Sequence, residues 1–206
     1  MTSKIAQGAE AILYTDNTIV TKDRFEKRYR HPELDRKLRK SRTRREAKIL
    51  SKLDAAQFPA PQLVGMDDEE MKVQMSHIPG KLVKEAVDEL EKKGDKQGYL
   101  KLFREIGGKI ALLHNMGIVH QDLTTSNMIL HSEHDEVYFI DFGLSFFSDK
   151  VEDYAVDLHL LKHAVESRHH RIVDACFDAV LSGYMAKKMD ADAVINRLNK
   201  VEMRGR

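Results

Sequence analysis

Three oxygen-bearing side chains set the chemistry open to this sequence: Asp122, Asn127 and Asp141. The first two lie in His120-Gln121-Asp122-Leu123-Thr124-Thr125-Ser126-Asn127, and fourteen residues after Asn127 comes Asp141-Phe142-Gly143. One carboxylate and one amide carbonyl are hard donors. With phosphate oxygens and water they make up the usual surroundings of Mg²⁺ at a nucleotide. Asn127 and Asp141 therefore read as metal ligands. Asp122, one loop away, reads as a base that orients a hydroxyl or water and takes its proton, with His120 as structural support for the loop.

Positioning them requires particular elements. Met128-Ile129-Leu130 and Val137-Tyr138-Phe139-Ile140 flank a polar turn from His131 to Glu136, which predicts a hairpin with Asn127 at its entrance and Asp141 at its exit. Upstream, Lys22 ends the strand Ile19-Val20-Thr21, and Glu46 sits on the following helix as its ion-pair partner, so that the pair can hold phosphates. Gly8 and Ala9, in Gln7-Gly8-Ala9-Glu10-Ala11, form a single-glycine turn whose backbone amides can cover phosphates. Met75 to Ile78 fall where a hinge would offer backbone groups to a nucleotide base. Met75 reads either as the back wall of that pocket or as an ordinary core methionine. Asp157, near a helix start, either accepts N–H bonds from the Asp122 loop or simply caps its helix.

The remaining pattern predicts an α+β fold. A β-hairpin turns at Asp16-Asn17, a helix follows Pro32 and is ended by Pro59-Ala60-Pro61, and a second hairpin covers residues 63–75. Helices then follow over residues 82–90 and 99–113, stopped at His114-Asn115-Met116-Gly117, and again from Asp153 almost to Arg197. The expected organisation is a β-rich N-terminal lobe at 1–75, a mainly helical lobe at 76–200 and a basic tail at 201–206.

Composition narrows the setting. The chain has 206 residues, 42% of them apolar, enough for a core, and its net charge is +1, so any electrostatic targeting must be local. A lone cysteine, Cys176, with no apolar leader and no membrane-length apolar run, predicts a reduced, cytoplasmic chain. Lys22 to Lys52 carries 14 Lys and Arg against 5 Asp and Glu, a local charge of +9. That stretch reads as a solvated helix face or as a surface for phosphate backbones.

The loop and the Asp-Phe-Gly run match the protein-kinase signatures H-x-D-L-x-x-x-N and D-F-G, and Lys22 stands where V-A-I-K has its lysine. More specifically, Lys22-x-Arg24, Tyr29-Arg30-x-Pro32-x-Leu34-Asp35, the Asp122 to Asn127 run, Asp141-Phe142-Gly143-Leu144-Ser145 and Asp153-x-Ala155-Val156-Asp157-Leu158 resemble the PRPK-like small atypical kinase/ATPase subunit of the KEOPS complex. Gln121 departs from the glycine usual in that family. Only thirteen residues separate Gly143 from Asp157 and no A-P-E follows, which leaves no room for a phosphorylated activation segment.

The resemblance implies a reduced bilobal protein-kinase-like fold with ATP and Mg²⁺ between the lobes. It implies phosphoryl transfer to a Ser/Thr hydroxyl or to water, in support of threonylcarbamoyladenosine formation on tRNA. The implied partners are the threonylcarbamoyl-transferase subunit, the other KEOPS subunits and, within the complex, tRNA, with Arg30, Arg204 and Arg206 as candidate RNA or partner contacts. The competing readings are a small-molecule phosphotransferase of the aminoglycoside or choline kinase type, and a nucleotide-binding scaffold without turnover.

Overall fold

The structure, a computed structural model, describes residues 3–204, which fall into two compact units. The first takes the chain up to Pro79 together with Tyr138–Leu144; the second takes Gly80–Val137 and the chain from Ser145 onwards.

The first unit contains β1 (Ser3–Gln7), β2 (Ile12–Thr15), β3 (Ile19–Asp23), α1 (Pro32–Ala55), β4 (Leu63–Asp67) and β5 (Lys72–Ser76). The strands form one antiparallel sheet in the order β1-β2-β3-β5-β4. Two aspartates shape its turns. Oδ1 of Asp16 accepts the N–H groups of Thr18 and Ile19, and Oδ1 of Asp67 those of Glu69 and Glu70. β1 left no alternation to read because all five of its residues are exposed. Across the sheet, Ile49, Leu50 and Leu53 of α1 and Met71, Val73 and Met75 are buried as the core, each side chain contributing about 2 kcal/mol.

α1 begins with Pro32 as its first helical residue. It stops four residues before the proline corner expected to end it. Phe58 donates its N–H to Leu53 C=O and Gln57 to Asp54 C=O, with Gln57 at φ 52°, so the helix closes itself in a Schellman turn before Pro59 is reached. The ring of Phe58 then meets Phe139 edge-on at 5.7 Å, and Phe139 N–H bonds Pro59 C=O. Those contacts tie residues 138–144, and Asp141 with them, to the first unit. The sheet also reaches past residue 75: Ser76 N–H bonds Gln62 C=O and His77 N–H bonds Thr18 C=O, so the unit ends at Pro79.

The second unit contains β6 (Gly80–Leu82), α2 (Val83–Lys92), α3 (Lys96–Asn115), β7 (Ile118–Val119) and β8 (Met128–His131). The start of β9 (Val137–Phe139) follows, then β10 (Phe146–Phe147), α4 (Val151–Arg168), α5 (Val173–Met185) and α6 (Ala191–Arg204). The expected turn-back forms its two strands, β8 and β9, and is closed by His131 N–H to Glu136 C=O. β6 pairs antiparallel with β8, and β10 with β7.

α3 and α5 pack backbone to backbone. A Cβ at Gly107 would stand 1.9 Å from Val180 O, and one at Gly183 1.9 Å from Arg104 O. The continuous helical pattern after Asp153 resolves into three helices. Periodicity missed the breaks because no proline marks them and the only glycine there, Gly183, lies inside α5. Arg206 and the side chain of Arg204 lie outside the described residues. No described helix is long and apolar enough to cross a membrane.

Candidate active site

In the first unit the alternation of β3 turns Lys22 inward, and Arg24 follows at the same parity; both are buried. Lys22 Nζ lies 3.0 Å from Oε1 of Glu46 and 2.5 Å from Oδ1 of Asp141. Glu46 is buried, and its other oxygen is taken by Arg24. Two cations thus face two carboxylates. Burial pulls the Lys22 ammonium down, but Glu46 and Asp141 outweigh it, and its pKa ends above the ordinary value. Asp141, two residues past β9, sits at φ 62°. A Cβ at Gly143 would come within 2.9 Å of the Arg24 guanidinium and 3.2 Å of Asp141 Oδ1, so those side chains would have to shift to admit one.

The turn that carries Gly8 and Ala9 is closed by Gly8 N–H to Ala11 C=O and is anchored by its neighbour Glu10. Arg30 reaches Glu10 at 3.0 Å and Arg42 reaches it at 2.7 Å. Partial burial raises the Glu10 carboxyl, and the two guanidinium groups more than reverse this, holding it below its usual range. Arg30 also faces buried Asp35 at 3.6 Å, and Arg39 pairs with Asp35 at 2.6 Å while donating to Arg24 C=O. A line of charge therefore runs from Glu10 through Arg30, Asp35 and Arg39 to Arg24, Glu46 and Lys22. Arg30, a candidate RNA contact, has its charge engaged inside this line.

Met75 is buried in β5, opposite Val20 and Leu63. With the N–H groups of Ser76 and His77 spent on Gln62 and Thr18, and Pro79 lacking one, Ile78 holds the N–H of this stretch that is not hydrogen-bonded among the described residues.

In the second unit, the Asn127 side-chain amide donates to the Asp122 carboxylate at 2.8 Å and to its C=O at 2.9 Å. The amide carbonyl is thereby turned away from Asp122. Both oxygens of Asp157 are committed to the same loop: Oδ2 accepts His120 N–H and Oδ1 accepts Gln121 N–H, each at 2.8 Å. Ser145 donates its hydroxyl to His120 C=O at 2.9 Å, and Asp122 N–H points at His120 Nδ1 at 3.3 Å. Behind Asp157, His114 offers Nε2 at 3.2 Å and bonds Tyr184 OH through Nδ1 at 2.8 Å, stacked on Tyr154. Donation from Nε2 to the carboxylate leaves Nδ1 to accept from the tyrosine. Burial keeps His114 below its ordinary pKa despite Asp157. Cys176 is buried and its thiol is pushed up to about 12, which removes it as a nucleophile.

Sequence reasoning assigned no role to Arg24, Ser145, Glu10, His114 or Tyr184. Arg24 and Ser145 stood inside the quoted runs and were legible as positions but not as partners. His114 and Tyr184 are 70 residues apart, and no spacing rule joins them.

The antiparallel sheet with its helix, and the mainly helical second unit with this loop, define a protein-kinase-like fold. A family model described as RIO domain matches residues 10–158. The chain is 41% identical to the KEOPS complex subunit Bud32 of Pyrococcus abyssi, over 98% of this chain and 94% of that protein. It is 40% identical to the probable bifunctional tRNA threonylcarbamoyladenosine biosynthesis protein of Methanothermobacter thermautotrophicus, spanning 36% of that longer protein. Among solved structures, the Rio2 kinase–ADP/Mg²⁺–phosphoaspartate complex from Chaetomium thermophilum aligns with a TM-score of 0.62 at 16% identity, over 99% of this chain and 71% of that one. The chain belongs to the RIO domain family and, within it, to the Bud32 family.

Proposed function

We propose that this chain is an atypical kinase or ATPase that uses Mg-ATP and works as the Bud32-type subunit of a KEOPS assembly supporting threonylcarbamoyladenosine formation on tRNA. The observation that carries the chemistry is Lys22, held between Glu46 and Asp141 at 3.0 and 2.5 Å. An ammonium kept charged in a buried setting is the group that receives the α- and β-phosphates in this class of site. The partners follow from the two relatives named for the complex and for the tRNA modification. A cytoplasmic setting suits the lone thiol of Cys176.

The donor set fits magnesium. Asp141 offers a carboxylate and Asn127 an amide carbonyl that its own N–H bonds to Asp122 orient, and both are the hard oxygen donors Mg²⁺ prefers. Magnesium would supply charge neutralisation at the phosphates. Asp122 orients the hydroxyl of a serine, threonine or water and takes its proton as the new O–P bond forms and the bond to the leaving ADP oxygen breaks. Ile78 N–H is the donor assigned to the base, and the turn at Gly8 and Ala9 covers the phosphates, with the Gly8 N–H itself spent on Ala11 C=O.

Lys22→Met tests the reading. Phosphate release from ATP with Mg²⁺ should fall about 10²-fold or more, and addition of the transferase subunit should stimulate the parent chain alone. Unchanged release in the variant, or efficient phosphorylation of free peptides with indifference to that subunit, would overturn it.

A further inference from the structure

α4 carries a group of side chains that the candidate active site does not use. Asp157 of this helix holds the His120 and Gln121 amides, whereas His159 and His163, four residues apart and so neighbours on one helix face, meet each other. Their Nε2 atoms lie 3.1 Å apart.

Each ring has a single nitrogen to offer. Nδ1 of His163 lies 3.1 Å from Oε2 of Glu166, so the carboxylate holds the ring proton there and leaves the Nε2 lone pair bare. Nδ1 of His159 is enclosed by the protein with no hydrogen-bond partner among the described residues, and Nε2 is the nitrogen of that ring that meets a neighbour. Burial, with His163 beside it, keeps the His159 imidazole below its ordinary pKa and therefore neutral at pH 7.5.

Two neutral imidazole nitrogens at this separation have the bite of one transition-metal ion. With metal–nitrogen lengths of about 2.0–2.1 Å, two ligands on a tetrahedral or cis-octahedral ion stand about 2.8–3.4 Å apart. Glu166 on His163 is the carboxylate–histidine pairing that orients a ligating ring and raises its basicity. The surrounding charge suits a dication as well. Glu166 and Glu202 of α6 are the acids that act on this pair, and the nearby Lys162 has its own charge engaged by Glu202 at 2.8 Å.

We infer that His159 and His163 form a surface site for a divalent transition-metal ion of the Cu²⁺, Ni²⁺ or Zn²⁺ class, using none of the residues assigned to magnesium. Imidazole nitrogen suits these ions, whereas Mg²⁺ takes hard oxygen. Among the described residues no three His, Cys, Asp or Glu side chains gather to hold a metal, so the protein supplies two nitrogens and water fills the other positions. The ion takes the place of the proton between the rings, which moves to Nδ1 of His159. No acceptor meets it there, and that cost keeps the affinity in the micromolar range. Because i,i+4 neighbours come together only in a helix, the ion favours folded α4, which also carries Asp157.

The test uses the full-length chain without a histidine tag, titrated calorimetrically with zinc or nickel chloride at pH 7.5, and with Cu²⁺ for electron paramagnetic resonance. One equivalent should bind, Cu²⁺ most tightly, with hyperfine structure from two imidazole nitrogens. His163→Gln, at a side chain 58% exposed, should keep the fold, weaken binding about tenfold or more and remove one nitrogen from the spectrum. His159→Gln should do the same to the metal. Glu166→Gln should cost about tenfold in affinity and leave both nitrogens in place. His31→Gln with His170→Gln removes two exposed imidazoles elsewhere and should stay within about twofold of the parent. Absence of a saturable site in the parent, a spectrum with one nitrogen, affinity unaltered by His163→Gln, or an equal loss in the His31 and His170 control would overturn the proposal.

Discussion

Gln121 presents its N–H to Oδ1 of Asp157 at 2.8 Å while its own backbone sits at φ 67°. The left-handed conformation costs a residue with a Cβ about 1 kcal/mol, and the loop accepts that cost to aim two consecutive amides at one buried carboxylate. This explains how the usual glycine can be replaced without losing the geometry. Gln121→Gly should therefore stabilise the chain by about 1 kcal/mol, raising Tm by roughly 2–4 °C. A lower Tm in thermal unfolding would show that the glutamine side chain contributes more than the strain removes.

Where α3 meets α5, the backbones leave no room for a methyl group. Gly183→Ala would set a Cβ 1.9 Å from Arg104 O, forcing the helices apart at a cost of about 2–3 kcal/mol. Gly94→Ala meets nothing within 4 Å but inherits φ 69°, so its loss should be nearer 1 kcal/mol. Urea unfolding of the two variants ranks them, and a reversed ranking contradicts the packing described.

Acid should destabilise this protein through buried imidazoles. Burial lowers the pKa of His114, as it does for His159 and His169. The unfolded chain then binds protons first as pH falls below about 6.5, and stability declines from there through the folded value. His114→Gln can keep a donor toward Asp157 without titrating, so its urea midpoint should fall less between pH 7.5 and pH 5 than that of the parent. Identical slopes would take His114 out of the acid response.

Glu10 has no proposed contact with substrate, yet it ties the Gly8–Ala9 turn to Arg30 and Arg42. Glu10→Gln should raise the KM for ATP several-fold while leaving kcat within about twofold, since it loosens a covering loop and touches no reacting atom. Glu10→Asp should recover part of the loss. An effect confined to kcat would exclude this positioning role.

Asp141→Ala removes the carboxylate assigned to the metal and one partner of Lys22, while Glu46 remains to hold the lysine. Mg²⁺-dependent turnover should disappear with little change in Tm. Full ATPase activity in this variant would remove the metal assignment.

Much of this molecule was legible in its residues. Alternation located the strands on either side of Asp16 and Asp67, spacings of three and four located α2 and α3, and the Asp122, Asn127 and Asp141 runs marked the candidate site. These are local signals, set by the period of the backbone and by what a given side chain can bind. Tertiary structure decided the pairings. Only the folded chain shows that Arg24 shares Glu46 with Lys22, that Tyr184 backs His114 behind Asp157, and that α1 ends in a Schellman turn before its prolines. The basic stretch makes the point most directly. Its sequence carries +9, but which cations are neutralised depends on acids brought from Glu10 and from Asp68 and Glu69. Charge adds along a chain, whereas ion pairing depends on distance, and distance exists only once the chain has folded.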